Sequence, residues 1–330
     1  MKKVRIATRA SNLALWQTRH VAAKLKAAHP DLEVEEVEVV TRGDRVQDKP
    51  LYTVGGKALF VSEVERLVAE GDADLAVHSL KDVPGDQEPA EGLGMIAYPE
   101  RADARDVLVT KDGTELMGLT AGARVGTTSL RRAAQLGAHR PDLAYVTLRG
   151  NVETRLRKLE EGQYDAIVLA AAGMKRLGYL KDWKHQLLGA ETCLPAVGQG
   201  TLAIEGSISD AAILELVKCL EHAPTRLVTE AERAMLEALE GSCRVPIAGH
   251  AQLLDDGHRL RMRGMVGDID GTKILTASCD VFFDSRSHEG KVAEAKKAGL
   301  EVAEGLIARG ARDLMRQAEA TILQREKTQS

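Results

Sequence analysis

Five times in its first 180 residues, this chain leaves an apolar, strand-like run and sets a cation in the turn that follows. The segments are Val4-Arg-Ile-Ala-Thr-Arg9-Ala-Ser11, Asp74-Leu-Ala-Val-His-Ser-Leu-Lys81-Asp82, Arg124-Val-Gly-Thr-Thr-Ser129-Leu-Arg131-Arg132, Tyr145-Val-Thr-Leu-Arg149-Gly150-Asn151 and Ala166-Ile-Val-Leu-Ala-Ala-Ala-Gly-Met-Lys175-Arg176. Strand, turn and helix in alternation predict an α/β chain, and in open α/β sheets the ligand crevice lies at the carboxyl ends of the strands. The electrostatics are unusual. Helix N-termini carry partial positive charge and prefer anionic side chains, so arginines placed there repeatedly call for a negative partner, which a bound polyanion supplies.

Composition narrows the partner. Net charge is −4, so a nucleic acid or an anionic membrane is not the expected partner of the whole surface, and aromatic residues make up only 3% of the chain, too few for base-stacking platforms. The cations are therefore a local feature suited to a small anionic ligand. Arg5 and Arg9 interrupt any signal-peptide core, and no apolar run approaches the roughly 18 residues of a membrane span. Cys193, Cys219, Cys243 and Cys279 are scattered, without CxxC pairs or histidines at ligand spacing, so neither a disulfide scaffold nor a metal site is expected. A cytoplasmic protein with reduced thiols is the simplest expectation.

Along the chain the pattern predicts strand 4–8, helix 12–28 with Ser11 as N-cap, strand 34–41, a helix from Leu59 and a short buried strand 74–79. The polar stretch 42–57 between them reads as a long loop. Residues 99–106 read as a charged linker into a second α/β series: strand 123–127, helix 130–138, strand 143–148, helix 152–161, strand 165–170. Leu194-Pro-Ala-Val-Gly-Gln-Gly200 looks like a second crossing, so the chain leaves a first lobe, builds a second and returns, with a cleft between them. From Thr225 the pattern becomes a helix 226–240, then strands 246–254, 258–266 and 272–283, then two amphipathic helices. In the middle strand Arg259, Arg261 and Arg263 face out while Leu260 and Met262 face in. The expected domains are 1–98 with 199–220, 104–194, and 225–330.

Several residues admit two readings. Lys81-Asp82 is either a plain turn closed by Pro84 or an ionised carboxylate beside cations, able to stabilise developing positive charge. Cys243, in Gly241-Ser242-Cys243-Arg244, is either structural or an exposed thiol with an arginine beside it. His78 reads as a core histidine. Gly198-Gln-Gly200-Thr-Leu-Ala203 matches a dinucleotide fingerprint in letters only, because it follows Pro195 and leads into a strand rather than a helix. That disfavours a nicotinamide dehydrogenase. A non-catalytic two-lobed anion-binding protein stays open.

Taken together, Thr41-Arg-Gly-Asp44, Val54-Gly-Gly-Lys57-Ala-Leu-Phe60, Ala76-Val-His-Ser-Leu-Lys-Asp-Val-Pro84, Gly126-Thr-Thr-Ser-Leu-Arg-Arg132, Leu148-Arg-Gly-Asn151, Leu194–Gly200 and Gly241-Ser-Cys243 resemble the porphobilinogen deaminase (hydroxymethylbilane synthase) family over nearly the whole chain. Thr128 and Ser242 stand where that family usually shows Ser and often Gly. The resemblance implies two lobes of periplasmic-binding-protein type around a cleft, a smaller α+β domain with a three-stranded antiparallel sheet, and a monomer. It implies a transferase that adds four porphobilinogens, with loss of ammonia, to a dipyrromethane cofactor joined by thioether to Cys243, and then releases linear hydroxymethylbilane for tetrapyrrole biosynthesis. By the same resemblance Asp82 is catalytic. Lys81, Asp82, Thr127, Ser129, Arg131, Arg132, Arg149 and Gly150 bind cofactor, while Arg9, Ser11, Lys57, Phe60, Arg149, Arg155, Arg176 and Gln199 bind substrate. Porphobilinogen is the implied small-molecule partner, with hand-over of product to the next pathway enzyme, and neither nucleic acid nor membrane is expected.

Overall fold

The computed structural model describes residues 2–39, 58–85, 89–240 and 245–329. In chain order the strands are β1 (Lys3–Arg9), β2 (Glu33–Val39), β3 (Leu75–Ser79), β4 (Leu93–Ala97), β5 (Asp106–Thr110), β6 (Arg124–Gly126), β7 (Ala144–Val146), β8 (Ala166–Ala170), β9 (His185–Leu188), β10 (Leu202–Ser207), β11 (Ile247–Leu254), β12 (Arg259–Gly267) and β13 (Ile274–Phe282). Contacts divide the chain into two units, Met1–Ala102 with Gly200–Arg226, and Asp103–Gln199 with Leu227–Ser330.

The first unit is built on a five-stranded sheet ordered β2-β1-β3-β10-β4. β1, β2 and β3 run parallel, and β10 lies antiparallel between β3 and β4. β3 is buried along most of its length, as a strand covered on both faces must be, which is why Leu-Ala-Val-His carries no alternation. Helix Asn12–Ala28 starts where expected, with Ser11 accepting a hydrogen bond from the Ala14 amide. Its Val21 and Leu25 join Val4, Ile6, Leu75 and Ile204 in one core cluster.

The second unit contains a sheet of the same plan. Its order is β7-β6-β8-β5-β9, with β6, β7 and β8 parallel and β5 the antiparallel member. In each sheet the reversed strand comes from the far side of the excursion: β10 from the returning chain, β5 from the outgoing one. Core clusters lie on either side of this sheet, one around Leu108, Val125, Leu136 and Val168, the other around Val107, Leu148, Leu159 and Ile167.

The same unit holds the three-stranded antiparallel sheet β11-β12-β13. β12 alternates as predicted, with Leu260 and Met262 buried and Arg259 and Arg261 on the open face paired to Asp280 of β13. Gly264 is the reason the covering layer packs so closely. A Cβ there would stand 2.5 Å from the Met235 sulfur and 2.7 Å from Val302.

The reading of 99–106 as linker stops one residue too late. Asp106 is the first residue of β5, and all five residues of that strand are buried. The charges before it masked an inner strand of only five residues. β4 and β9, equally short, were not read from the sequence. Strand 143–148 shortens to β7, because the chain departs the ladder toward Arg149. Helix Ala223–Ala238 begins earlier than expected, with Pro224 in its first turn, where a missing N–H costs nothing.

Candidate functional site

In the first unit, β1 and β3 are parallel neighbours paired through Ile6–Leu75 and Ala7–Ala76, so their carboxyl ends emerge on one edge. Arg9 closes β1, and Ser11 caps the following helix, its Oγ 3.4 Å from the Ala14 amide. β3 runs straight into the tight turn Leu80–Asp82. Two ties fix this turn. The Leu80 amide donates to the Thr201 carbonyl at 3.0 Å, and Gln17 Nε2 donates to Ser79 Oγ at 2.8 Å. Leu80 points into the core while Lys81 and Asp82 are half-buried. His78 is a core histidine with a partner, its Nε2 2.8 Å from Oε2 of the buried Glu205.

In the second unit, β7, β6 and β8 deliver the other residues to a common edge. After β6, Thr127 Oγ1 accepts from the Ser129 amide at 3.1 Å, and Ser129 Oγ caps helix Leu130–His139 by accepting from Arg132 N at 3.4 Å. Beyond β7, Gly150 adopts φ 117°. Its carbonyl accepts from Arg155 Nε at 2.7 Å, and Asn151 caps the helix that bears Arg155. β8 leads into Ala171–Arg176. Burial lowers the pKa of Arg149 and brings that of Arg176 down to about 10. Both side chains are half-buried, where an anionic ligand gains more from them than from a cation in open water.

Arg131 and Arg132 are deeper than expected, at 5% and 6% exposure, and they share one carboxylate. Arg132 Nε and Nη2 lie 2.9 and 2.7 Å from Asp106 Oδ1, and its Nη1 donates to the Val168 carbonyl at 3.0 Å. Arg131 Nη1 lies 2.8 Å from Asp106 Oδ2 and donates to the Leu194 carbonyl at 2.6 Å. The Cys193 thiol donates to Oδ2 at 3.3 Å. Burial works to raise the Asp106 pKa, but the attraction of Arg131 and Arg132 outweighs it and holds the carboxyl well below its usual range. Burial, with Asp106 alongside, pushes the Cys193 thiol up to about 12.

Gln199, expected among the substrate-binding residues, is 1% exposed. Its Nε2 donates to the Ala104 carbonyl at 2.6 Å and to Asp106 Oδ1 at 2.9 Å, an interior brace. Lys57, Cys243 and the side chain of Phe60 lie outside the described residues. Two further carboxylates escaped the sequence reading. Asp106 left one signal, an acid heading an otherwise apolar run. Glu232, buried on helix Ala223–Ala238, left none. It accepts from the Gly198 amide at 2.7 Å and the Ala251 amide at 2.8 Å, tying the second crossing segment to β11.

Residues 4–215 match the family described as porphobilinogen deaminase, dipyromethane cofactor binding domain. Residues 227–308 match porphobilinogen deaminase, C-terminal domain. Among similar proteins, the porphobilinogen deaminase of Nitratidesulfovibrio vulgaris strain DSM 19637 / Miyazaki F is 48% identical over 315 residues, covering 96% of each chain. That of the Hildenborough strain is 46% identical over 316 residues with the same coverage. Among solved structures, the periplasmic VFT2 domain of BvgS from Bordetella pertussis superposes with a TM-score of 0.39 at 16% identity, covering 66% of this chain and 86% of that one. Two family matches in sequence order, and relatives alike from end to end, agree with cations gathered at the carboxyl ends of parallel strands: the chain belongs to the porphobilinogen deaminase family.

Proposed function

We propose that this chain polymerises porphobilinogen, joining four molecules with loss of ammonia and releasing linear hydroxymethylbilane, as a transferase of tetrapyrrole and heme biosynthesis. Membership of the family, from residue 4 to residue 308, carries this reading. It displaces the non-catalytic anion-binding alternative.

The second unit suits a dipyrromethane. Each pyrrole bears an acetate and a propionate, and this strand edge presents Ser129, Arg131, Arg132 and Arg149. Two buried guanidinium groups faced by the one carboxylate of Asp106 leave positive charge for a ligand carboxylate to neutralise. When bound, the group supplies the pyrrole carbon to which substrate is added. Thr127, Ser129, Arg131, Arg132, Arg149 and Gly150 would hold and orient it, and Lys81 and Asp82 are assigned to the same group. Arg9, Ser11, Lys57, Phe60, Arg155 and Arg176 receive porphobilinogen and the lengthening chain, and Gln199 acts from behind by bracing Asp106. Asp82, on a turn tied at its leading end through Ser79 and the Leu80 amide, is the carboxylate assigned to the pyrrole nitrogens that become positive. Residues 1–98 with 199–220, 104–194, and 225–330 serve as three domains, the last carrying Cys243 as the attachment point. The enzyme works in the cytoplasm and passes its product to the next pathway enzyme.

Denaturing intact-mass measurement tests this. The purified active chain should be heavier than the polypeptide by one dipyrromethane, and Cys243→Ser should lack that increment. An active wild-type chain at the bare polypeptide mass overturns the reading.

A further inference from the structure

Two consecutive arginines buried side by side repel each other, and each has left water. Such an arrangement holds only with a carboxylate in good geometry. Asp106 meets that need from an unusual place. It opens β5, an inner strand, and pairs with Ala170 on one side and Leu188 on the other, so backbone ladders rather than a flexible side chain fix its position. One of its oxygens takes Arg132 and Gln199, and the other takes Arg131 and the Cys193 thiol. Gln135 reinforces the arrangement, accepting from the Leu194 amide at 2.7 Å and donating back to the Leu194 carbonyl at 3.1 Å, the same carbonyl that receives Arg131.

We propose that Asp106 is the positioning residue of the cofactor site: it sets the two guanidinium planes of Arg131 and Arg132 before the dipyrromethane is assembled. The inference rests on the assignment of those arginines to the cofactor. It makes a counterintuitive claim about sign. If only net charge mattered, removing the carboxylate would strengthen the attraction for an anionic ligand and speed loading. If orientation matters, removing it slows loading, because the arginines must be ordered during binding.

The test follows incorporation of dipyrromethane into apo enzyme supplied with porphobilinogen, read by denaturing intact mass well below each variant's melting temperature. Asp106→Asn keeps an acceptor for Arg132 but turns a donor toward Arg131 and Cys193. It should load at least about tenfold more slowly than wild type. Asp106→Glu retains the charge but moves the carboxylate by roughly one C–C bond, ~1.5 Å, and should also load slowly. Arg131→Leu should load slowly, and the Asp106→Asn/Arg131→Leu double variant should be slowed by less than the product of the two single effects, because part of the Asp106 effect runs through Arg131 and the rest through Arg132. The double variant removes one of the two buried cations that Asp106→Asn leaves without a carboxylate, Arg132 being the other, and Asp106→Glu, which keeps the charge, carries the test if Asp106→Asn folds poorly.

Loading of Asp106→Asn or Asp106→Glu at or above the wild-type rate overturns the positioning role while leaving the arginines' role intact. A double variant slowed by the product of the two single effects overturns it as well, because Asp106 would then act independently of Arg131. Normal loading of Arg131→Leu instead defeats the assignment of that arginine, and the proposal with it.

Discussion

At the scale of single residues, the chemistry comes down to which carboxylates stay charged and what they face. Asp82 is half-buried on a turn whose neighbours are anchored by the Leu80 amide and the Ser79 hydroxyl. Its proposed work is electrostatic, so charge should outweigh shape. Asp82→Asn should lose at least about a hundredfold in turnover, corresponding to roughly 3 kcal/mol of transition-state stabilisation. Asp82→Glu should keep part of the activity. Steady-state turnover of the holo forms at saturating porphobilinogen checks this, and an Asn variant as fast as wild type would reduce Asp82 to a turn residue. The strand-exit turn left Asp82 between a plain turn residue and an ionised carboxylate beside a cation, and the family resemblance named it. Asp106 had no such setting, since its partners Arg132 and Gln199 lie 26 and 93 positions away.

At the scale of elements, the turns after β6 and β7 carry the proposed cofactor residues, and each is held by its own capping side chain. Gly150 is the tightest point. Its φ of 117° disfavours any side chain, and a Cβ would come within 2.7 Å of Thr154 on the following helix. Gly150→Ala should therefore destabilise the fold by about 1–3 kcal/mol and displace the carbonyl that receives Arg155. Denaturant titration reads the first effect, and the rate of chain elongation on holo enzyme the second. A variant with wild-type values for both would show that the turn relaxes at no cost. These elements were legible because strand runs, Ser and Asn caps and a turn glycine are local signals, written within about ten residues. β4, β5 and β9 were harder. A strand of four or five residues is too short to reveal a period, β5 is buried throughout, and it begins with an acid that reads as the end of a linker.

For the whole molecule, stability and pH are coupled through Asp106. Its folded pKa lies below the unfolded value, so its contribution is fully present above the unfolded carboxylate range and fades as pH falls. Melting temperatures of wild type and Asp106→Asn should differ most near neutrality, begin to approach one another only below about pH 4, and converge as pH falls through the depressed folded pKa. A gap that is constant with pH would mean the carboxylate is not what stabilises the fold. The chain by itself determined the α/β class, the cationic turns, the alternation of β12 and the family, because each rests on short-range patterns or on motifs carried in order along the sequence. Sheet order decided the rest. Only when β10 inserts beside β3, and β5 beside β8, do Glu205 meet His78 and Asp106 meet two arginines. Burial then made each of those encounters a pairing that the fold requires. A charge removed from water must find its counterpart in space, and distance along the chain carries no record of where that counterpart lies.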